Sequence, residues 1–178
     1  TRADVIKAAA AQYNLQPETV AAFLLAEQRD QSQREDAKDY TAATSLRQYN
    51  SSIGLGQVVI STARNNNLFS DLIDDGTRRQ LSHTDYARLL ADDTMNIFAS
   101  AKYIRTVADN AAAATPQVQS RFRNYFPGVD FSKFRENSAN WPYDNIQALG
   151  SEYTSAPWDF NPNRVPPFVD SPGWGFFV

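Results

Sequence analysis

A glutamate lies where an apolar side chain is expected, at the end of a predicted helix near the start of the chain. Pro17 and Glu18 are typical of a first helical turn, and apolar residues then recur at helical spacing. The stripe comprises Val20, Phe23, Leu24 and, in the same register, Glu27. Burying a carboxylate is costly unless it is paired or protonated, and loss of water raises the pKa of a carboxyl group. Glu27 is therefore a candidate general acid of the kind that glycoside cleavage requires.

The same glutamate also has a purely structural interpretation. Helix ends often depart from the stripe of the helix, so Glu27 could turn to solvent or pair with Arg29 or Arg34. The residue types that other kinds of catalysis need are scarce in this chain. The chain has no cysteine and one histidine, His83, which excludes thiol nucleophiles and His-rich zinc sites. The residues around His83 predict a helix start rather than a catalytic triad, so carboxylate chemistry remains.

Composition predicts a globular domain with an ordinary core. The chain has 178 residues, of which 42% are hydrophobic and 21% charged, and this length suits one domain. A net charge of −3 argues against a nucleic-acid partner, because proteins that bind nucleic acids usually have a basic surface. No apolar run is long enough for a membrane span. The first residue is Thr1 rather than Met, so we expect the chain to be cut from a longer protein.

Periodicity and capping signals predict a mostly α fold. The longest convincing helix covers about residues 94–113, where Ile97, Phe98, Ala101, Ile104 and Ala108 form one apolar stripe. Further helices are expected over 3–13, 17–27, 116–126 and 142–153. Residues 28–50 predict a long ordered loop or a pair of short helices.

Short polar and proline-rich segments predict the remaining structure. Ser61 and Thr62 are expected to cap a short helix, and Ser82 with Asp85 resembles a capping box. Residues 57–60 are the best strand candidate. Residues 156–178 hold five of the nine prolines together with many aromatic side chains, and this composition predicts an extended strap packed on the helical body.

Four segments in order resemble the motifs of bacterial lytic transglycosylases and goose-type lysozymes. The first is an opening helix that ends on Glu27, and the second, Gly54 to Val58, is similar to their Gly-Leu-Met-Gln motif. The third begins Asn-Ile at Asn96, and the fourth reads Glu-Tyr-Thr-Ser-Ala-Pro from Glu152. The resemblance implies a lysozyme-like helical domain over 1–178. This divergent form is similar to muramidase toxins that bacteria inject into rivals through type VI secretion.

The resemblance also implies roles for individual residues. Glu27 would protonate the bond between N-acetylmuramic acid and N-acetylglucosamine. Ser52, or its neighbour Ser51, would hydrogen-bond the N-acetyl group or hold a water molecule. Gln57 and Tyr153 would shape the sugar groove, although Gln57 could instead satisfy the backbone of its own loop. Thr154 replaces the usual Asn of the fourth motif, so Thr154 is not counted among the residues expected to contact the sugar.

A hydrolytic outcome would need a second carboxylate. Inverting glycosidases hold their two carboxyl groups about 6.5–9.5 Å apart to admit a water molecule. Asp39 is the first candidate because it follows Glu27 at a spacing similar to that in goose-type enzymes, and Asp36 is the second. Asp39 could equally be a solvated loop residue, and Val59 stands where the family's other Asp would fall. The alternative is a transglycosylase, which closes a 1,6-anhydro ring with the substrate's own hydroxyl.

The expected partners follow from the resemblance. They are peptidoglycan strands in the periplasm or wall of a target bacterium and, for an injected toxin, an immunity protein; we expect a monomer. No cofactor is required, although Ca²⁺ could bind oxygen-bearing side chains of the 28–50 segment, namely Asp30, Gln31, Glu35, Asp36 and Asp39. A non-catalytic glycan-binding module and an adaptor domain of a secretion protein are the alternatives from other functional classes.

Overall fold

The computed structural model describes residues 1–29 and 33–154 and shows a mostly α domain. The helices in these ranges are α1 (Arg2–Gln12), α2 (Pro17–Arg29), α3 (Gln33–Thr44), α4 (Ile60–Asn65), α5 (Asp75–Arg78), α6 (His83–Ala91), α7 (Asp93–Ala112), α8 (Pro116–Tyr125) and α9 (Tyr143–Thr154). Two short 3-10 helices cover Phe131–Arg135 and Ser138–Asn140. A small hairpin, β1 (Ser52–Ile53) and β2 (Val58–Val59), is antiparallel with Ser52 opposite Val59.

Helix α7 forms the centre of the core. Its 20 residues begin after Asp92, whose side chain accepts a hydrogen bond from the Met95 amide. Ile97 and Ile104 are fully buried, and α1, α2, α6, α9 and the first 3-10 helix pack against α7. The predicted helix over 94–113 is confirmed, and its apolar stripe is the surface around which the domain assembles.

Helix α2 places Glu27 at the edge of this core. The helix starts at Pro17 as predicted, and the segment before it is fixed to the second 3-10 helix by a 2.7 Å hydrogen bond from the Gln16 amide to Ser138 Oγ. Val20, Phe23 and Leu24 are buried, whereas Glu27 is half-buried. Glu27 therefore continues the stripe in register, and the stripe reaches the edge of the core at this last turn.

The segments between these helices differ from the sequence expectations in two places. Within residues 28–50, α3 forms one 12-residue helix rather than a pair of short helices or a long loop. The predicted cap by Ser61 and Thr62 is wrong, because α4 begins one residue earlier, after Val59, with no side-chain cap. The first-turn amide of Ser61 is satisfied instead by Asn50, whose Oδ1 accepts a 2.8 Å hydrogen bond from it. The capping box of Ser82 and Asp85 is confirmed.

Two further sequence expectations concern the C-terminal segment and membrane-spanning helices. The predicted strap over 156–178 lies outside the described residues, so the domain prediction stays a prediction there. Across the described ranges, every helix is too short or too polar to cross a membrane.

Asn96 ties α7 to the hairpin. Its side chain is fully buried; Oδ1 accepts a 2.8 Å hydrogen bond from the Gly56 amide, and Nδ2 donates 2.8 Å bonds to the Ile53 and Leu90 carbonyls. Three backbone segments thus depend on one amide group. Buried backbone groups of this kind are costly to leave unpaired.

We expect Asn96→Ala to lower the free energy of unfolding by roughly 3 kcal/mol, because it strands one N–H and two carbonyls in the core. Urea unfolding followed by circular dichroism measures this. Asn110→Ala is the matched control, since Asn110 is an exposed residue of the same helix. Equal unfolding midpoints for the two variants would contradict the assigned role of Asn96.

Candidate active site

Glu27 faces a cavity of about 190 Å³ between α2, the hairpin, α4, α7 and α9. The residues that line it are Glu27, Ser52, Gln57, Val58, Val59, Thr62, Tyr103 and Tyr153; this space is called the active-site cavity below. Glu27 is the single carboxylate among these lining residues. The structure therefore brings together four of the five residues predicted from sequence, namely Glu27, Ser52, Gln57 and Tyr153.

Tyr153 forms the buried wall of the active-site cavity. Its ring packs edge-on against Phe23, with ring centroids 5.3 Å apart, and against Tyr103 at 5.1 Å. Its hydroxyl donates a 2.7 Å hydrogen bond to the Gly56 carbonyl. Burial, and then the nearby negative charge of Glu27, raise the pKa of Tyr153 well above its ordinary value. The hydroxyl therefore stays protonated and holds the backbone beside Glu27.

The chain between the hairpin strands is a tight turn, residues 54–57, called the glycine turn below. Gly54 has a φ of +77° and Gln57 a φ of +46°, and Gln57 N donates to Gly54 O at 3.0 Å. A β-carbon on Gly56 would meet Ser100 Oγ and would lie 2.9 Å from Tyr153 Oη. Only a residue without a side chain fits between α7 and α9 there.

Several neighbouring elements hold the glycine turn by its backbone. The Gln28 side chain donates to the Leu55 carbonyl at 3.1 Å, and Asp36 of α3 accepts from the Gly54 amide at 3.3 Å. The Gln57 side chain itself donates to Gly54 O at 2.8 Å. The structural alternative for Gln57, satisfying its own loop, is thus present in the structure, and the same residue also lines the active-site cavity.

Hydroxyl groups face Glu27 from the hairpin side. Ser52 lies in β1, opposite Val59 of β2, and Thr62 lies in the first turn of α4. The sequence motifs pointed to Ser52 but not to Thr62, which they treated as a helix cap. The position of Thr62 one turn into a helix that follows the Gln motif is the signal that could have found it.

Asp39, the predicted second carboxylate, is not among the residues that line the active-site cavity. It lies on α3 one turn beyond Asp36 and is half-buried. Burial, followed by the negative charges of Asp36 and Glu35, raises the pKa of Asp39. Asp36 is the member of α3 that contacts the glycine turn. The structure thus distinguishes the two candidates: Asp36 bonds the glycine turn, and Asp39 lies elsewhere on α3, outside the cavity lining.

Three of the predicted calcium ligands, Glu35, Asp36 and Asp39, belong to α3, whereas Asp30 and Gln31 lie outside the described residues. Within residues 1–29 and 33–154, no group of three or more His, Cys, Asp or Glu side chains is arranged to hold a metal ion. The calcium site stays a prediction.

Comparison with known proteins agrees with this geometry. Residues 1–109 match the family model described as the catalytic domain of the type VI secretion system peptidoglycan muramidase Tse3. The chain belongs to the Tse3 catalytic-domain family. It is also 50% identical over 178 residues to the peptidoglycan muramidase Tse3 of Pseudomonas aeruginosa strain PAO1. That alignment covers 100% of this chain and 42% of the relative, so the chain spans less than half of the relative's length.

The residues that the family model matches include most of those that line the active-site cavity. The matched residues 1–109 include Glu27, Ser52, Gln57 and Thr62, and they include Asn96, which holds the glycine turn. Tyr153 lies beyond the matched range but within the alignment to Tse3. The matched residues therefore include the carboxylate, the hydroxyl groups and the Tyr103 ring of the cavity, and α9 adds the second aromatic ring, Tyr153.

We expect Gly56→Ala to lower the free energy of unfolding by roughly 2 kcal/mol, because the new methyl group must displace Ser100 or Tyr153 from a packed interior. Denaturant unfolding gives the value. Gly76→Ala is the control, since Gly76 is exposed in α5 and its added methyl would meet one flexible side-chain oxygen of Asp74, 3.2 Å away. A smaller loss for Gly56→Ala than for Gly76→Ala would show that the glycine turn is not tightly enclosed.

Proposed function

We propose that this chain is a peptidoglycan muramidase that cleaves the β-1,4 bond between N-acetylmuramic acid and N-acetylglucosamine, with Glu27 as general acid. The observation that carries the proposal is the half-buried Glu27 in a cavity with hydroxyl and aromatic walls. Membership in the Tse3 catalytic-domain family supports it, as does the 50% identity to the peptidoglycan muramidase Tse3.

In this mechanism Glu27 gives its proton to the glycosidic oxygen while positive charge develops on the sugar ring. Ser52, Thr62 and Gln57 offer polar atoms to the hydroxyl and N-acetyl groups of the sugars. The Tyr153 hydroxyl is committed to the Gly56 carbonyl, so it acts as a positioning residue for the glycine turn. The ring of Tyr103 contributes an apolar surface of the kind on which sugar faces pack.

The second half of the reaction requires either a base or the substrate's own hydroxyl. We propose hydrolysis, with Asp39 as the base that activates water, and a lytic transglycosylase is the alternative. The pKa of Asp39 is raised, so its carboxylate takes up a proton at a higher pH than that of an ordinary aspartate. This stronger basicity favours Asp39 as the base. Because Asp39 is not among the residues that line the cavity, it would act on the sugar through a water molecule rather than by direct contact.

The biological setting is proposed from the family. We infer that the domain is an antibacterial effector that a type VI secretion system delivers to the periplasm of a rival cell, where it degrades the wall as a monomer. An immunity protein that blocks the active-site cavity would protect the producing cell. No cofactor takes part in the proposed steps. A non-catalytic glycan-binding module is the second candidate, and the release of soluble fragments distinguishes it.

We expect Glu27→Gln to keep the fold and to lower the rate of fragment release from purified sacculi by about 10²-fold or more, because the amide cannot donate the required proton. Chromatography of the soluble fragments measures the rate. Glu18→Gln is the matched control, since Glu18 is an exposed residue of the same helix. Near-normal release by the Glu27 variant would refute the general-acid role and favour the binding module.

The products decide between hydrolysis and transglycosylation. We expect wild-type products with free reducing ends, because an anhydro end is lighter by one water and mass spectrometry separates the two. Asp39→Asn should lower the hydrolysis rate by roughly 10²-fold, the usual size of a general-base effect. Asp36→Asn should instead lower the unfolding midpoint by loosening the glycine turn. Anhydro products from the wild type would establish the transglycosylase alternative, and a fully active Asp39→Asn that still yields reducing ends would refute Asp39 as the base.

A further inference from the structure

A second cavity, of about 170 Å³, lies against α4 and is separate from the active-site cavity. It is lined by Arg64, Asn67, Arg78, Arg79, Leu81 and Tyr86, and is called the arginine cavity below. The two cavities share α4: Thr62 lines the first and Arg64 the second. Residues two apart on a helix point to nearly opposite sides, so α4 separates the cavities.

Positive charge is concentrated in the arginine cavity. Three guanidinium groups line it, and none of its lining residues is a carboxylate. One carboxylate of α5, Asp75, approaches from outside the lining, at 2.6 Å from Arg78 and 4.0 Å from Arg79. Two net positive charges therefore remain at this place in a chain whose overall charge is −3. Such a local excess attracts anions that the rest of the surface repels.

The arginine cavity is held in shape before any ligand binds. The Arg78 side chain is 15% exposed and is fixed by Asp75 and by a hydrogen bond to Asn67 Oδ1. The Arg64 guanidinium lies over the Tyr86 ring, 5.2 Å from its centroid, and Tyr86 is itself buried. A preformed guanidinium pair loses little side-chain entropy on binding.

One donor of this set is unsatisfied. The Nε atom of Arg78 is sealed from solvent and makes no hydrogen bond to the described part of the chain. A buried N–H without an acceptor is costly, and the lining residues Arg64, Arg79 and Asn67 add further N–H donors, while Tyr86 adds an O–H. A group with several negatively charged oxygen acceptors matches this donor set, because carboxylate and phosphate accept paired bonds from guanidinium.

We propose that the arginine cavity binds a carboxylate of the peptide attached to the glycan strand whose sugars occupy the active-site cavity. This inference rests on the proposed muramidase function. The path around one side of a helix roughly 10 Å in diameter, such as the one that separates the two cavities, is about 16 Å long, and an extended peptide of about five residues spans roughly 17 Å. A peptide that starts on the sugar can therefore pass α4 and place a carboxylate among the arginines. The site gives the enzyme a preference for strands that still carry peptides.

The test compares two substrates: intact sacculi, and glycan strands from which an amidase has removed the peptides. The preference is the ratio of kcat/KM on the two. We expect the double variant Arg64→Gln with Arg79→Gln to reduce this ratio by roughly tenfold, the usual size of a lost pair of charge-assisted hydrogen bonds. Both side chains are exposed, so the fold should tolerate the change. Arg88→Gln, which removes an exposed arginine of α6 outside the cavity, should leave the ratio unchanged.

Inorganic phosphate serves as the direct probe of the cavity. Calorimetric titration should show phosphate binding to the wild type and to Arg88→Gln, and binding at least about fivefold weaker for the double variant. Phosphate binding without any change in substrate preference would overturn the assignment to a wall peptide and favour a free or lipid-borne phosphate. No phosphate binding and no change in preference would overturn the site altogether.

The same design separates this inference from the muramidase proposal. If the wild type released no products from either substrate, the muramidase function would fail and the peptide assignment with it. The phosphate titration would then report on the arginine cavity alone. If the wild type cleaved both substrates and the double variant lost rate equally on both, cleavage would stand and the peptide-carboxylate inference would fall.

Discussion

One buried amide group sets the geometry of the active-site cavity. Asn96 lies at the first turns of the central helix, and its side chain bonds backbone atoms of β1, the glycine turn and the end of α6. Because the group is buried and both of its polar atoms are used, the hairpin has one register against α7. Ser52 and Val59 are paired across that hairpin, so the hydroxyl wall opposite Glu27 depends on a contact deep in the core.

The glycine turn then joins the two carboxylate-bearing helices to α9. Gln28 from the end of α2 and Asp36 from α3 bond its backbone on one side, and Tyr153 bonds it on the other. A side chain at Gly56 would displace Ser100 and Tyr153 from the turn. The glycine turn is thus bonded by the helices that carry Glu27 and Asp39 and by Tyr153. Its backbone is held by these side chains rather than by a long run of strand pairing.

The sequence was most informative where local rules govern structure. The stripe that ends on Glu27, the capping box of Ser82 and the start of α2 at Pro17 depend on spacing within one turn, and each is found in the structure. The expected cap at Ser61 failed because tertiary pairing of β2 sets the start of α4. Thr62 was missed for the same reason: what faces a cavity depends on how distant elements meet, and no local pattern records that.

The position of Asp39 shows a different limit of sequence spacing. Distance along the chain from Glu27 placed it in the region of a goose-type assisting carboxylate, yet its helix, α3, is oriented by the contact of Asp36 with Gly54. Residues three apart on a helix share a face but differ by about one turn, roughly 5 Å, along the axis. Asp36 therefore touches the turn, whereas Asp39 lies one turn further along α3, where burial, followed by the negative charges of Asp36 and Glu35, raises its pKa.

Helix α4 gives the two cavities opposite electrostatic character. The active-site cavity contains a carboxylate and hydroxyl groups, whereas the arginine cavity contains guanidinium groups and no lining carboxylate. Because a single six-residue helix separates them, a ligand that spans both must be neutral at one end and anionic at the other. A sugar unit with a carboxylate-bearing substituent has that distribution of charge. The charge pattern thus selects for a substituted glycan by electrostatic means, without a basic surface over the whole domain.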